Sequence, residues 1–131
     1  MVPTARALIP ALAALLAGCG IVDLPRDCTT SVEPAIIVEI HDAETGAPIA
    51  ASASGYVQDG GFTDVLKPAG FLGGQPGTMY SRRAADERPG TYDVFVSHEG
   101  YAPWSALDVD AGDGPCHVRT RTLRADLEPF E

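Results

Sequence analysis

The chain has 131 residues, 45% of them hydrophobic and 21% charged, with a formal net charge of −9 at pH 7. That length supports one domain with a modest core. Such acidity makes nucleic acid and anionic lipid surfaces poor candidates as direct partners, because both require clustered Lys and Arg.

Arg6 is the sole charge before Asp23, and Ala7 to Ala17 is an apolar run broken at Pro10. A charged start, a short apolar stretch and small residues at its end form a secretory signal. The run is shorter than the roughly 20 apolar residues that span a bilayer. It ends Leu16-Ala17-Gly18-Cys19, which resembles the bacterial lipobox. The resemblance implies that residues 1–18 are a lipoprotein signal peptide in helical form. It also implies that Cys19 carries lipid on its thiol as the first mature residue. An ordinary signal peptide cut elsewhere is the alternative. Two or three acyl chains anchor stably, at about 0.8 kcal/mol per buried CH₂. Gly20 follows the cysteine where an inner-membrane-retained lipoprotein tends to carry Asp, so the outer membrane is favoured in a host that has one.

Removing residues 1–18 leaves 113 residues and takes Lys+Arg from 9 to 8 against 18 Asp+Glu, a net charge of −10. It also leaves two cysteines beside the lipidated one. In an oxidising compartment, Cys28 and Cys116 read as a disulfide. Two free thiols or half a metal site are the alternatives, and no Cys-x-x-Cys or Cys/His spacing supports a metal.

Residues 19–33 read as a tether and residues 34–131 as the folded domain. Pro34 to His41 alternates, with Ile36, Val38 and Ile40 on one face and Ile37, Glu39 and His41 on the other. Asp42 to Gly46 is a turn, with Gly46 at positive φ. Ala50 to Gln58 is the second expected strand, and Asp59-Gly60-Gly61 the turn after it. Phe62 to Pro68 is the third, with Phe62 and Val65 or Leu66 as core candidates. Residues 69–77 form a loop, Thr78 to Arg83 a short strand, and Ala85 to Gly90 a turn. Thr91 to His98 alternates with Tyr92, Val94 and Val96 inward and Phe95 outward. Tyr101 to Ala111 follows the Glu99-Gly100 turn, with Leu107 and Val109 inward and Trp104 on the opposite parity. His117 to Leu127 is the last strand, and its change of parity after Val118 predicts a bulge near Arg121-Thr122. No segment after Cys19 shows a helical period. Short strands between Gly/Pro turns indicate an all-β sandwich.

Three stretches carry a resemblance over about residues 28–131. They are Val38-Glu-Ile-His-Asp-Ala-Glu-Thr-Gly-Ala-Pro-Ile49, Arg88-Pro-Gly-Thr-Tyr-Asp-Val-Phe-Val-Ser-His-Glu-Gly-Tyr-Ala-Pro-Trp104, and Cys116-His-Val-Arg-Thr with Leu123 and Leu127. Together they resemble the carboxypeptidase regulatory-like domain, which implies a seven-stranded antiparallel β-sandwich of transthyretin-like fold. That family's domain is usually an accessory without catalytic residues, so the resemblance implies a non-enzymatic binding or structural module with no cofactor.

A transthyretin-like enzyme, the hydroxyisourate hydrolase, uses His and Arg residues and a C-terminal Tyr-Arg-Gly-Ser. This chain instead ends Leu127-Glu-Pro-Phe-Glu131. Its histidines, His41, His98 and His117, read as solvated at strand ends. Asp42, Glu44, Asp108, Asp110 and Asp113 could bind Ca²⁺ if they converged, but no Asp-x-Asp-x-Asp-Gly loop is present. No Gly-x-Ser-x-Gly motif offers a nucleophile. Tyr56, Tyr80, Phe95, Tyr101 and Trp104 are the candidate contact residues. Phe95, Tyr101 and Trp104 are expected to meet an envelope protein or a glycan if they cluster on an exposed face; the alternative is that Tyr101 and Trp104 cap one end of the core, or that both sheet faces are partly covered. The alternative function is a small hydrolase or ligand carrier with a pocket at one end of the sandwich. A third is an envelope chaperone or inhibitor pairing through a bare sheet edge.

Overall fold

A computed structural model describes residues 28–74 and 78–131. Cys19 and the signal segment lie outside the described residues. The strands are β1 (Pro34–Asp42), β2 (Ser54–Asp59), β3 (Phe62–Val65), β4 (Lys67–Pro68), β5 (Ser81–Asp86), β6 (Gly90–Ser97), β7 (Trp104–Ala111) and β8 (Arg121–Leu127). They form two four-stranded sheets, ordered β4-β5-β1-β8 and β3-β2-β6-β7. The chain is therefore an all-β sandwich.

β1 begins at the end of the sandwich that holds the Cys28–Cys116 disulfide, whose Cα atoms are 5.3 Å apart. Ile36, Val38 and Ile40 are buried, as their spacing predicts. The strand ends where Asp42 Oδ1 accepts the Glu44 and Thr45 amides and Gly46 takes a φ of 73°. The expected second strand starts late. Ala50–Ser52 is a 3₁₀ turn, and β2 begins at Ser54. The cause lies elsewhere in the chain. Arg82 of β5 donates to the carbonyls of Ala50, Ala51 and Leu66, holding the crossover in a turn.

The Gly60-Gly61 hairpin joins β2 to β3, with Asp59 opposite Phe62. The expected strand 62–68 then divides. Leu66 is buried between the layers, Val65 is 60% exposed, and Lys67–Pro68 pairs in the other sheet against Arg83 and Arg82. Eight strands are thus described rather than seven. β5 runs later than its composition suggests, because the Asp64 carboxylate accepts the Ala85 amide at 2.9 Å and Pro34 pairs with Asp86. Ala85 and Glu87 both take positive φ at that corner.

In β6, Tyr92, Val94 and Val96 are buried as expected. β7 corrects the inward assignment of Leu107, which is 62% exposed. Tyr92 faces Val109 and Val94 faces Ala106, so two residues of β6 span three of β7. The bulge falls at Leu107–Asp108, where Asp108 has a φ of 55° and donates its amide to Asp93 Oδ1 at 3.1 Å. Inward parity therefore switches from Trp104 and Ala106 to Val109 and Ala111.

No bulge lies at Arg121-Thr122. The β1–β8 register runs unbroken from Ile36↔Arg121 to Asp42↔Leu127, and it is parallel. β7 ends at the disulfide end and β8 starts there, beside the start of β1, so the two must run the same way. The expectation of a wholly antiparallel sandwich is corrected at this pair. Val118, which caused the parity change, lies before the strand, buried in a bridge to Asp113.

Candidate functional site

The outward face of the β3-β2-β6-β7 sheet carries the most distinctive surface. Alternation brings Tyr56 and Phe95 to this face, and register sets them side by side, with Val65 beyond Tyr56 and Ser105 beyond Phe95. Tyr56 and Phe95 stack with centroids 4.9 Å apart and planes at 28°. Tyr56 is 40% exposed, so the pair is open to solvent. At its rim the hydroxyls of Ser54 and Ser97 meet at 3.1 Å. These groups, with Thr63, Pro103 and Trp104, line an open groove of about 650 Å³. The volume suits a small ligand or a short run of side chains. Gly55 beneath it must lack a side chain, since a Cβ would lie 2.1 Å from the Phe95 carbonyl oxygen.

The candidate contact residues therefore divide. Phe95 and Trp104 share the groove, and Trp104 is also packed on the core. Tyr101 does not join them. Its ring packs on the core and against His98, and its hydroxyl donates to Asp42 Oδ2 at 2.6 Å. It fastens the β6–β7 turn to the β1 turn at the end opposite the disulfide. Tyr80 lines a smaller hollow on the other sheet with Glu39 and Arg83.

The histidines lie apart. His41 meets the Gly46 carbonyl, His98 the Glu99 carbonyl, and His117 bridges Glu87 and Thr29. His117 is the departure from the solvated reading, since it ties residues 29 and 87 together beside the disulfide. Among the described residues, no three His, Cys, Asp or Glu side chains converge to hold a metal ion.

The Tyr101 hydroxyl, followed by the Thr45 amide, holds the Asp42 carboxyl below its ordinary value of 3.8. The Glu33 amide and then His117 do the same for Glu87. A depressed carboxylate stabilises the fold above its unfolded-state value, and that contribution is lost as pH falls through the folded-state value. The Tyr101→Phe protein is therefore expected to melt a few degrees below wild type at pH 6. The gap should close as pH falls below the ordinary Asp range. Thermal melts across that range check this, and a gap constant with pH would show that Asp42 ionisation is not involved.

No family model matches the chain, and no curated protein matches it.

Proposed function

We propose that this protein is a lipid-anchored component of the cell envelope, acylated at Cys19, whose sandwich is a non-enzymatic binding module of the carboxypeptidase regulatory-like, transthyretin-like kind. The observation that carries this reading is the exposed Tyr56–Phe95 stack in its groove. The groove is shallow and lined by rings and hydroxyls, without a histidine or a charged side chain. That lining suits adhesion to another surface better than acid–base chemistry.

Orientation supports the same reading. Cys28 fastens the tether to the end of the sandwich where β1 and β6 start. The groove lies towards the far end, at Phe95 and Ser97 of β6 and Pro103 before β7. Eight residues of β6 separate the ends by about 25 Å at roughly 3.3 Å per residue. In a domain anchored through Cys19, the groove lies at the end remote from the tether's attachment, open to envelope proteins or glycans in the periplasm or outside. The outer membrane is the favoured location in a host that has one.

Two expected results test this. Labelled palmitate should incorporate into the wild type and not into the Cys19→Ser protein. A photo-cross-linking side chain in place of Ser97 should capture a discrete partner in cells, and the Phe95→Ala change should abolish the capture. Persistent palmitate in the cysteine variant removes the anchor. Capture that is insensitive to Phe95 removes the groove.

A further inference from the structure

Charge divides unequally between the sheets. β1, β4, β5 and β8 contain Lys67, Arg82, Arg83, Arg121 and Arg124. β2, β3, β6 and β7 contain no Lys or Arg and five aspartates. Two of these are engaged with cations. Asp59 pairs with Arg88 at 3.0 Å and Asp64 with Lys67 at 3.5 Å. The other three, Asp93, Asp108 and Asp110, form no ion pair among the described residues. Asp93 has the outward parity of Phe95, Asp110 lies opposite outward Thr91, and Asp108 sits in the bulge bonded to Asp93. The Arg121 guanidinium beside this edge donates to the Asp110 backbone carbonyl.

The outward face is therefore graded. An aromatic groove occupies one half, and carboxylates in no ion pair among the described residues occupy the other. Along β6, Asp93 lies two residues from Phe95 and the Thr91–Asp110 row lies four, about 7 and 13 Å at 3.3 Å per residue. An extended chain laid along β6 has the same repeat, and it places alternate side chains against those positions. Anionic lipids and anionic glycans meet repulsion on the same surface.

Resting on the binding-module reading above, we propose that this face docks an extended, cationic segment of a partner protein. An apolar side chain enters the Tyr56–Phe95 groove. Lys or Arg residues two and four positions away meet Asp93 and the Asp108–Asp110 edge. The groove supplies the anchor, and the carboxylates supply orientation and selection against acidic partners.

The test uses the full chain in a non-ionic detergent and a blocked peptide, Lys-Thr-Lys-Thr-Trp-Thr-Lys-Thr-Lys, which reads alike in either direction. Its Glu-for-Lys counterpart and soluble peptidoglycan fragments are the comparison ligands. The Lys peptide should bind, the Glu peptide should not, and Phe95→Ala should abolish binding. The combined Asp93→Asn, Asp108→Asn and Asp110→Asn protein should bind about tenfold more weakly and lose most of the salt dependence. Asn keeps the acceptor that Asp93 offers Asp108, and it tolerates the positive φ of Asp108, so the fold survives and a thermal melt verifies it. Equal binding of the Glu peptide, or an unchanged triple variant, overturns the cationic partner and leaves the groove intact. Phe95-dependent binding of peptidoglycan fragments without the Lys peptide does the same. If no ligand binds and the Ser97 cross-linker captures nothing, the inference and the binding-module reading both fail.

Discussion

Replacing Cys28 and Cys116 together by serine is expected to lower the unfolding free energy by about 4 kcal/mol. The bridge joins residues 88 positions apart, almost the whole described domain. In the folded protein its loss releases little. Residues 28–33 precede β1, and they keep other attachments: Thr29 to His117, and the Glu33 amide to Glu87 Oε1 at 2.8 Å. The stabilisation comes instead from the unfolded chain, which loses freedom when its two ends are tied. Urea unfolding of wild type and the double-serine protein measures the difference. A gap below about 1 kcal/mol would show that the bridge adds nothing beyond the local contacts.

Tyr92→Ala is the second large effect, expected at about 4 kcal/mol. Tyr92 is the largest of the fully buried side chains. Its ring packs edge-on to Phe62 at 6.4 Å, and its hydroxyl donates to the Arg88 carbonyl and accepts from Arg88 Nη1. Arg88 in turn lies 3.9 Å over the Phe62 ring and pairs with Asp59. Removing the ring leaves a cavity between the sheets and unfastens this corner. Tyr92→Phe keeps the volume and loses only the hydroxyl's partners, at a cost of about 1–2 kcal/mol. Denaturant midpoints at constant slope separate the two. A Phe variant as unstable as the Ala variant would show that the hydrogen bonds outweigh the packing.

Local alternation made much of the sandwich legible. In β6, and in β1 from Ile36 to Ile40, every second residue is apolar and buried, so the burial of Tyr92 and the outward position of Phe95 are read directly from the alternation. The Cys28–Cys116 pair follows from arithmetic on the expectation, from the lipobox resemblance, that Cys19 carries lipid. Where strand boundaries failed, a distant side chain was responsible. Arg82 turned Ala50–Ser52 out of β2, and Asp64 extended β5 through Ala85. Asp93, across the ladder, accepts the amide of the bulged Asp108 that turned Leu107 outward.

The candidate site divides the same way. Residue type singles out Tyr56, Tyr80, Phe95, Tyr101 and Trp104, and parity places Phe95 correctly, whereas the β7 bulge puts Trp104 on the inward parity that its spacing from Leu107 and Val109 denies it. Their grouping depends on contacts between segments far apart in the chain. The β2–β6 register stacks Tyr56 on Phe95, and the Asp42 carboxylate draws Tyr101 to the end of the core. Asp93, Asp108 and Asp110 are visible in the chain, but only pairing places them on the aromatic sheet, whose strands carry no Lys or Arg. The all-β pattern and the faces of the regular strands are therefore legible in the chain alone, because each depends on near neighbours; the cysteine pairing is legible by counting only on the expectation that Cys19 is set aside. Bulge, crossover, parallel closure and the assembled surface were decided by the tertiary structure, since their causes are hydrogen bonds and register between residues far apart in the chain.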